Sequence, residues 1–370
     1  MRLRRILKRS ILAVVILLFA WFQFAYWTST NDCGRPIPAS AERMKAIRYC
    51  EYGPADQVLK LEQVEKPVPN DNQVLVRVRA VSLRYFDGGM LGGSIPGRLL
   101  LGLRKPKNTI PGSDYAGTVE AVGRNVTEFK PGDEVFGVRA GCLAEYICVR
   151  ADRGAIVKKP ANSTFEQAAS IPTALVALQG LRDTGRVKAG QKVLINGASG
   201  GVGTFTVQIA KAFGAEVTGV CSTKNLDLVR SLGADHVIDY TKEDYTKGDQ
   251  RYDVIYDLIN NHSFAERRRV LKPGGICVLA GIGGSGIHEE TLSRFIGGLT
   301  ASFRSSFSKE KFLRFGVDFS KKDLGVLRDM TESGKIAPAL TKTYPLTETA
   351  AAYKYLETGH VQGKIAITIE

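Results

Sequence analysis

The hydrophobic pattern divides the chain into two parts with different periods. Before residue 160, short segments alternate apolar and polar side chains, most clearly over Gln73–Ser82, where successive residues face opposite sides of a strand. The other strands predicted in this part are Lys45–Tyr49, Val58–Val64, Gly117–Val122, Glu134–Val138, Leu143–Val149 and Gly154–Lys158. We interpret residues 83–108 as a loop region. The first part therefore predicts a strand-rich β domain.

From residue 165 the pattern changes to strands that alternate with helices. The predicted helices are Phe165–Thr184, Thr204–Phe213, Leu226–Leu232 and Phe264–Leu271, and the predicted strands are Lys192–Ile195, Ala215–Val220, His236–Asp239, Val254–Leu258 and Ile276–Ala280. This alternation predicts a doubly wound parallel sheet, whose ligand lies at the carboxyl ends of the strands. The tail is expected to return to the first domain, with helices Asp323–Ser333 and Glu348–Leu356 and strands Leu340–Tyr344 and Lys364–Ile369.

A glycine-rich turn follows the first of these strands and opens the next helix. Residues 196–203 read Asn-Gly-Ala-Ser-Gly-Gly-Val-Gly, and a second strand begins shortly after the helix. Gly200 lets the backbone approach a phosphate, and Gly203 lets the helix pack closely on the strand. We therefore predict that the turn holds the pyrophosphate of a dinucleotide at the helix N-terminus. The alternative is a glycine-rich turn without a ligand.

The end of the second strand indicates which dinucleotide binds. A site that selects NAD carries Asp or Glu there, which accepts a hydrogen bond from the ribose 2′-hydroxyl. This strand instead continues into Cys221-Ser222-Thr223-Lys224-Asn225, and the next carboxylate is Asp227. Hydroxyl groups and a positive charge suit a 2′-phosphate, so we predict NADP(H) as the cofactor. The alternative is that Ser222 caps the following helix and Lys224 is solvated.

The N-terminus has the pattern of a membrane signal. Five basic residues lie within the first ten positions, and Ile11–Trp27 is apolar apart from Gln23 and ends in aromatic residues. A helix of this length reaches roughly 25 Å, the short end of a membrane span. We favour an uncleaved anchor, because the residues after Trp27 offer no clear small-x-small cleavage site. A cleaved signal peptide and a core helix are the alternatives.

The anchor and the body of the protein give conflicting indications of topology. The basic flank should stay cytoplasmic, which would place the body across the membrane. A body that binds NADP(H) and keeps unpaired cysteines is typical of the cytoplasm, and we expect it to face that side. One solution is a segment that enters one leaflet and returns, with Met90–Lys107 and Leu292–Phe315 on the same membrane face. Alternatively, these two segments line the substrate cleft or a dimer contact.

Composition narrows the remaining possibilities. The chain has 370 residues, enough for two domains, and a formal net charge of +14. The basic residues of the body are scattered and form no nucleic-acid-binding module, so we predict no nucleic acid as a partner. The six cysteines show neither CxxC nor metal-ligand spacing. We expect no disulfide framework, which favours a reducing compartment.

Four further motifs point to a family. They are Ile-Pro-Gly-Ser-Asp-Tyr-Ala-Gly at 110–117, Lys-Pro-Gly-Asp-Glu-Val-Phe-Gly at 130–137, Leu-Gly-Ala-Asp at 232–235 and Gly363-Lys364. Together with the glycine-rich turn they resemble the zinc-independent branch of the medium-chain dehydrogenase/reductase superfamily, of the quinone oxidoreductase (zeta-crystallin) type. The resemblance covers the chain from Met44 to its end and implies an inserted Rossmann domain, a GroES-like β domain built from both ends, and a homodimer.

The hydrophobic pattern and the resemblance together predict four parts of the chain. Residues 1–30 are the basic flank and anchor helix, and residues 31–43 are a linker. Residues 44–165 and 319–370 form the GroES-like substrate domain, and residues 166–318 form the Rossmann NADP-binding domain. The anchor is not part of the family pattern.

The resemblance also implies that no catalytic metal is bound. Zinc-dependent relatives have Cys where this chain has Arg84, and Gly-His-Glu where it has Gly112-Ser113-Asp114. The four-cysteine structural lobe of those relatives would fall between Gly137 and Gly141, where there is no room for it. We therefore expect no metal site.

Residue roles carried over from the family concern the cofactor first. The resemblance places the turn residues Ala198, Ser199, Gly200, Gly201, Val202 and Gly203 on the pyrophosphate. It places Ser222, Thr223 and Lys224 on the 2′-phosphate and Tyr240 along the adenosine phosphate. Gly281 and Ile282 would lie near the nicotinamide, and Lys364 near the cofactor cleft.

The proton donor departs from the family pattern. Relatives have Tyr two residues beyond the Asp that matches Asp87, whereas this chain has Gly89. Tyr85, with Arg84 beside it, is the nearest substitute, although Tyr85 could simply be a packing residue. Val176 also stands where relatives often have Thr near the nicotinamide.

These observations predict reduction of an activated acceptor. Without a metal to polarise a carbonyl, hydride transfer suits quinones and α,β-unsaturated carbonyl compounds, whose charge is delocalised onto oxygen and needs only hydrogen-bond donors. The main alternative is a membrane-tethered NADPH-binding sensor or adaptor with little turnover. A short-substrate alcohol dehydrogenase is a weaker alternative, because the zinc ligands are missing.

Overall fold

A computed structural model describes residues 16–17, 19–281, 300, 305 and 308–370. Residues 19–27 are helical. Within the described ranges, no helix is both long and apolar enough to cross a membrane. Residues 11–15 and 18 of the predicted anchor, and much of Leu292–Phe315, lie outside the described residues.

One sheet takes strands from both ends of the chain. Its spatial order is β14 (Leu340–Pro345), β15 (Lys364–Thr368), β3 (Gln73–Ser82), β4 (Asp114–Val122), β5 (Glu134–Val138) and β7 (Ala155–Lys158), with β6 (Tyr146–Arg150) also paired to β3. The strands β1 (Arg43–Arg48) and β2 (Lys60–Glu65) form a separate pair, with the short helix α1 (Ala55–Val58) between them. Because β15 pairs antiparallel with β3, the tail returns to this sheet.

Two short helices occupy the region that we predicted as loop. Helix α2 (Tyr85–Leu91) begins where the Asp87 carboxylate accepts the backbone N–H of Arg84 at 2.9 Å. Helix α3 (Ile95–Leu101) follows at once, capped by the Ser94 hydroxyl. Four glycines within residues 88–93 lower the helix propensity and hide the helical period, so this prediction was wrong.

The other sheet is parallel, as predicted. Its order is β10 (His236–Asp239), β9 (Glu216–Cys221), β8 (Lys192–Asn196), β11 (Tyr252–Asp257), β12 (Leu271–Leu279) and β13 (Lys311–Leu313). The connecting helices include α6 (Gly201–Ala212), α7 (Leu226–Ser231) and α8 (Phe264–Arg269). Successive strands are added in one direction from β8 to β10 and in the opposite direction from β11 to β13. The reversal between β8 and β11 creates the crevice where doubly wound sheets bind nucleotides.

A helical segment joins the two sheets through one core. Residues 165–184 form α4 (Phe165–Ser170), a 3-10 turn (Ile171–Thr173), α5 (Ala174–Gln179) and a π turn (Gly180–Thr184), interrupted because Pro172 removes a backbone donor. Ala80 and Phe136 of the first sheet and Val193 of the second are buried in the same cluster as this segment. The remaining helices are α9 (Lys321–Glu332) and α10 (Thr349–Glu357).

Candidate active site

The glycine-rich turn forms a tight cradle at the start of α6. Gly197 has a left-handed backbone with a φ of 92°, and Gly200 is the residue before the helix. A β-carbon at Gly203 would lie 2.0 Å from the Gly197 carbonyl oxygen, so this position accepts only glycine. A β-carbon at Gly200 would have no neighbour closer than 3.6 Å. Residues 198–203 therefore include the start of a helix. The N–H groups of a first helical turn have no carbonyl partner within the helix, which is the geometry that accommodates a phosphate.

The structure brings the residues predicted for the 2′-phosphate to the carboxyl end of β9. Asn225, which our sequence reasoning did not select, organises them. Its amide donates to the hydroxyls of Ser199 at 2.9 Å and Ser222 at 3.2 Å, and its carbonyl accepts from Gln362. Asn225 is 6% exposed, whereas Lys224 is exposed. The buried amide thus ties the phosphate turn, the end of β9 and the C-terminal segment together.

A carboxylate also lies at this edge and was missed in the sequence. Asp239 ends β10 and accepts hydrogen bonds from the hydroxyls of Thr223 at 2.5 Å and Thr241 at 2.7 Å. The bond from Thr223 is the main cause of a lowered Asp239 pKa. The Thr223 hydroxyl therefore donates to Asp239 and not to a ligand in this structure, so of the three residues predicted for the 2′-phosphate only Ser222 and Lys224 keep donors for that role. Tyr240, next in sequence, is 58% exposed at the same edge.

Lys364 connects the phosphate turn to the first sheet. The side chain of Lys364 is packed against Gly201, where an added β-carbon would lie 3.0 Å from its Cδ, and Gly363 donates its backbone N–H to the Ser199 carbonyl at 2.9 Å. The Lys364 ammonium donates to the Leu83 carbonyl at 2.7 Å and to the Thr173 hydroxyl at 2.8 Å. Burial lowers the pKa of Lys364 to about 8.

The same network continues to a buried ion pair. The Arg84 guanidinium contacts both carboxylate oxygens of Asp114, with its Nε at 2.7 Å from Oδ2, and the Thr173 hydroxyl donates to Asp114 at 3.0 Å. Asp114 is fully buried, whereas the Arg84 side chain is 19% exposed. Burial raises the pKa of Asp87, which caps α2 beside Arg84, to about 6. Thr173 was not predicted, and only its place after Ile171-Pro172 could have drawn attention to it.

One exposed aromatic ring lies beside the ion pair, and two more follow Arg84 in the sequence. Tyr85 and Phe86, the first residues of α2, are 40% and 38% exposed. Phe319 is 43% exposed, and the Arg84 guanidinium lies 5.1 Å from its ring centroid. The Phe319 ring and the Arg84 guanidinium therefore form a cation–π contact at the edge of the ion pair.

The site residues do not fit a catalytic zinc. The guanidinium of Arg84 cannot act as a metal ligand, and its charge would repel a metal ion at the place where zinc-dependent relatives have a cysteine thiolate. Ser113, in the place of their His, has a buried hydroxyl without a hydrogen-bond partner among the described residues. Across the described part of the chain, no group of three or more His, Cys, Asp and Glu side chains could hold a metal ion.

The nicotinamide end of the predicted site is described only in part. A β-carbon at Gly281 would lie 2.1 Å from the Leu258 carbonyl, so this residue keeps the chain close to the end of β11. Ile282 lies outside the described residues. Val176 contributes its carbonyl, which accepts the Tyr256 hydroxyl at 2.6 Å.

A disulfide bond contradicts one expectation from composition. Cys33 and Cys50 are bonded, with their Cα atoms 5.9 Å apart, and Cys142, Cys148, Cys221 and Cys277 are buried and free. The two bonded cysteines are 17 positions apart in regions of unlike pattern, so their pairing has no signature in the sequence. We expected no disulfide framework, and one bond is not a framework, but this bond removes the argument that cysteine usage gave for a reducing compartment. The other argument for a body that faces the cytoplasm, the NADP(H) cofactor, is not affected.

Comparison with known proteins places this site in a family. The model of the alcohol dehydrogenase GroES-like domain matches residues 70–161, and that of a zinc-binding dehydrogenase matches residues 232–367. The chain is 34% identical over 340 residues to the 2-methylene-furan-3-one reductase of Solanum lycopersicum, covering 88% of this chain and 79% of the relative. It is 35% identical over 342 residues to the chloroplastic NADPH-dependent alkenal/one oxidoreductase of Arabidopsis thaliana, covering 88% and 80%.

Solved structures agree with these sequence relatives. The quinone oxidoreductase from Coxiella burnetii is similar with a TM-score of 0.74 at 29% identity, covering 89% of this chain and all of that one. The chain therefore belongs to the medium-chain dehydrogenase/reductase family. This membership confirms the Rossmann and GroES-like parts of the predicted fold class, but not the N-terminal membrane helix. It also confirms the predicted enzyme class, an oxidoreductase that works with a nicotinamide dinucleotide such as NADP(H).

Proposed function

We propose that this chain is a membrane-anchored, NADP(H)-dependent oxidoreductase that reduces quinones or α,β-unsaturated carbonyl compounds by hydride transfer. The observation that carries the proposal is the Arg84–Asp114 ion pair, which sets hydrogen-bond donors rather than metal ligands beside the dinucleotide turn. An isolated carbonyl concentrates the developing negative charge on one oxygen, so a metal ion or a strong general acid assists its reduction most. A conjugated acceptor spreads the developing charge onto an oxygen that donors alone can stabilise.

The names of the relatives support this class of acceptor. They are an alkenal/one oxidoreductase described as NADPH-dependent, a furanone reductase and a quinone oxidoreductase. These acceptors share a carbon–carbon double bond that is conjugated to a carbonyl group. The Phe319 ring beside Arg84, and the exposed rings of Tyr85 and Phe86 that follow Arg84 in the sequence, suit such planar molecules.

The chain's own residues have distinct tasks in this reaction. Bound NADPH supplies a hydride from its nicotinamide ring. Asp114 accepts from only two nitrogens of the five-donor guanidinium of Arg84, and we assign the N–H groups that no described residue accepts to the acceptor oxygen. Tyr85, at the start of α2 and partly exposed, is our candidate for the proton donor to the reduced acceptor.

The cofactor residues follow from the same geometry. Ala198–Gly203 would cradle the pyrophosphate, Ser222 and Lys224 would donate to the 2′-phosphate, and Tyr240 would lie along the adenosine. We assign the nicotinamide end to Gly281 and Ile282. Lys364 would hold the turn and the ion pair at a fixed separation.

The domain limits, the anchor and the dimer also belong to this proposal. We divide the chain into an anchor (1–30), a linker (31–43), a GroES-like domain (44–165 and 319–370) and a Rossmann domain (166–318). The basic flank and the apolar segment Ile11–Trp27 support the anchor. The family resemblance alone supports the homodimer.

The decisive experiment measures NADPH oxidation by the full chain in detergent micelles across a panel of quinones and enones. Gly200→Val should abolish turnover, because the added side chain would occupy the place of the pyrophosphate. The side chain itself would not clash with the protein. Gly325→Val is the matched control, since an added β-carbon at Gly325 likewise meets no close neighbour, with nothing within 4 Å, and this glycine lies in α9, away from the turn.

The outcomes of this experiment distinguish the reductase from the tethered sensor. Turnover that is lost in Gly200→Val and kept in Gly325→Val supports the reductase and identifies the acceptor. Tight NADPH binding without turnover on any acceptor contradicts it and favours the tethered sensor. Equal Michaelis constants for NADPH and NADH would contradict the preference for NADP(H).

A further inference from the structure

The described part of the N-terminal segment is packed onto the body rather than free. Ser29 is only 4% exposed, and its hydroxyl donates to the Lys105 carbonyl at 3.1 Å. The same hydroxyl accepts the backbone N–H groups of Arg104 and Lys105, each at 3.3 Å. The Arg104 guanidinium lies 5.1 Å from the ring centroid of Trp27. The end of the N-terminal helix is therefore seated on the loop that follows α3.

Covalent and ionic contacts continue this docking. Asp32 accepts hydrogen bonds from Arg48 at 2.9 Å and from Thr109 at 2.8 Å, and Cys33 is bonded to Cys50. We call residues 29–33 with the Cys33–Cys50 bond the clasp. Because Arg48, Cys50 and Thr109 all belong to the body, the clasp fixes the direction in which the N-terminal helix leaves it.

The surface around the clasp combines apolar and basic side chains. The exposed apolar residues are Phe19, Trp21, Phe22, Phe24 and Trp27 on the helix, with exposures between 45% and 69%, and Leu99 on α3, with 64%. The loop beyond α3 adds the exposed basic residues Arg104, Lys105 and Lys107. We call these residues the clasp face. Aromatic rings beside Lys and Arg are typical of protein that meets the headgroups of an anionic bilayer.

We propose that the clasp holds the catalytic body in one orientation against an anionic bilayer on the oxidising side of the membrane, with Leu99 and residues 104–107 at the headgroups. This inference rests on the proposed anchor and adds the orientation and the side. A disulfide persists in an oxidising compartment, and the basic flank at residues 2–9 favours the same topology. A second copy of the chain would be a poor occupant, since the three basic residues of each clasp face would repel those of the other.

The clasp face and the candidate active site belong to one stretch of chain. Arg84 and Tyr85 begin α2, which leads directly into α3 and the loop bound by Ser29. Tyr52 stiffens this stretch, because its hydroxyl donates to the Gly102 carbonyl at 2.7 Å and its ring lies 4.6 Å from the Arg98 guanidinium. The orientation therefore brings the aromatic side of the site toward lipid and favours acceptors dissolved in the membrane.

The orientation is tested with a single fluorescent probe on the full chain. Leu99→Cys offers one reactive thiol, since the four free cysteines are buried and the other two are bonded. Lys188→Cys, exposed in the loop before β8, is the matched control on the other sheet. Each labelled protein is reconstituted into vesicles of phosphatidylcholine and phosphatidylserine that contain a headgroup-attached quencher. We expect quenching at 99 to be several-fold stronger than at 188.

Breaking the clasp separates this inference from the proposed anchor. In the pair Cys33→Ser with Cys50→Ser, quenching at 99 should fall to the level of 188, as it should in Arg104→Glu with Lys107→Glu. The two tryptophans of the chain, Trp21 and Trp27, report the anchor by themselves. Quenched tryptophans with equal signals at 99 and 188 would overturn the orientation and leave the anchor standing. Unquenched tryptophans would overturn the anchor as well.

The side of the membrane is tested by the state of the thiols in cells. A maleimide reagent added to rapidly denatured cells should label four cysteines of the full chain before reduction and six after it. Six labelled cysteines without a reductant would overturn the oxidising side. A signal at 99 that depends on protein concentration in the absence of vesicles would show a second copy on the clasp face and overturn the lipid assignment.

Discussion

At the scale of single residues, we expect Arg84 to contribute both to the stability of the fold and to the proposed reaction. Its guanidinium neutralises the fully buried Asp114 while part of its own side chain remains exposed. We expect Arg84→Gln to lower kcat by about 10²-fold, the cost of removing one preorganised donor to a developing oxyanion. It should also lower the free energy of unfolding by about 3 kcal/mol, because Asp114 keeps a buried charge without its partner. Steady-state kinetics and urea denaturation measure the two effects.

A second substitution separates these two roles of Arg84. In Arg84→Gln with Asp114→Asn the buried charge is absent, so the free energy of unfolding should recover most of its loss while kcat stays low. Recovery of kcat together with stability would show that Arg84 acts only through folding.

Tyr85→Phe, which removes one hydroxyl from a partly exposed ring, tests the proton donor, and an unchanged kcat would exclude Tyr85.

Lys364 makes cofactor binding depend on pH. Burial lowers its pKa from an ordinary value of 10.5 to about 8, so the ammonium next to the phosphate turn loses its charge as the pH rises through that value. We expect the Michaelis constant for NADPH to increase about tenfold from neutral pH to well above pH 8, which corresponds to a Lys364 pKa about one unit higher in the NADPH complex than in the free protein. In Lys364→Met this increase should disappear. The same increase in the variant would assign the pH dependence to another group.

The lowered Lys364 pKa also affects stability with a definite sign. Between about pH 8 and pH 10.5 the unfolded chain holds a proton on this residue that the folded chain does not hold. The contribution of Lys364 to the free energy of unfolding therefore increases as pH rises through this window, and it is least favourable below pH 8. Denaturation of the wild type and of Lys364→Met at several pH values should show this rise in the free energy of unfolding only in the wild type.

At the scale of elements, alternation and spacing predicted most of the sheets. Strands β3, β5 and β10 have the limits that the pattern gave, and the parallel order follows from strands that alternate with helices. The glycine turn was recognisable because each glycine answers a separate steric demand. Helices α2 and α3 could not be predicted in this way, because their turns are set by single capping contacts of Asp87 and Ser94 among many glycines.

The candidate site was predictable only where its signal is local. The phosphate turn and the end of β9 are continuous motifs, whereas Asn225, Asp239 and Thr173 act through contacts between segments far apart in the chain. The Cys33–Cys50 bond belongs to the same class. Pairings of this kind depend on the tertiary path and leave no period or spacing in the sequence.

Two glycines of one turn should respond differently to the same substitution. Gly203→Ala forces a methyl group to within 2.0 Å of the Gly197 carbonyl, so α6 must move away from β8. We expect it to lower the free energy of unfolding by about 2 kcal/mol, as overpacking does elsewhere. Gly200→Ala meets no neighbour closer than 3.6 Å and should leave stability unchanged while it weakens NADPH binding. Thermal unfolding and NADPH titration test both, and equal stability losses would contradict this division of roles.

At the scale of the whole molecule, three connections determine how the parts act together. A single core joins the two sheets through residues 165–184, Lys364 spans from the phosphate turn to the ion pair, and the clasp joins the N-terminal helix to the segment that carries Arg84. The first two connections hold the hydride donor and the acceptor in one frame. In our proposal, the third sets the position of that frame relative to the membrane.

The clasp should therefore affect which acceptors are reduced rather than whether reduction occurs. In Cys33→Ser with Cys50→Ser, NADPH-dependent reduction of a short, water-soluble enone should be unchanged, because the clasp touches none of the candidate cofactor or catalytic side chains. Reduction of a long-chain enone dissolved in phosphatidylcholine and phosphatidylserine vesicles should fall about tenfold, since a body without fixed orientation meets the lipid surface productively less often. The ratio of the two rates in one reconstituted sample is the measurement. Equal losses on both acceptors would mean that the disulfide supports the folded body as a whole and does not orient it.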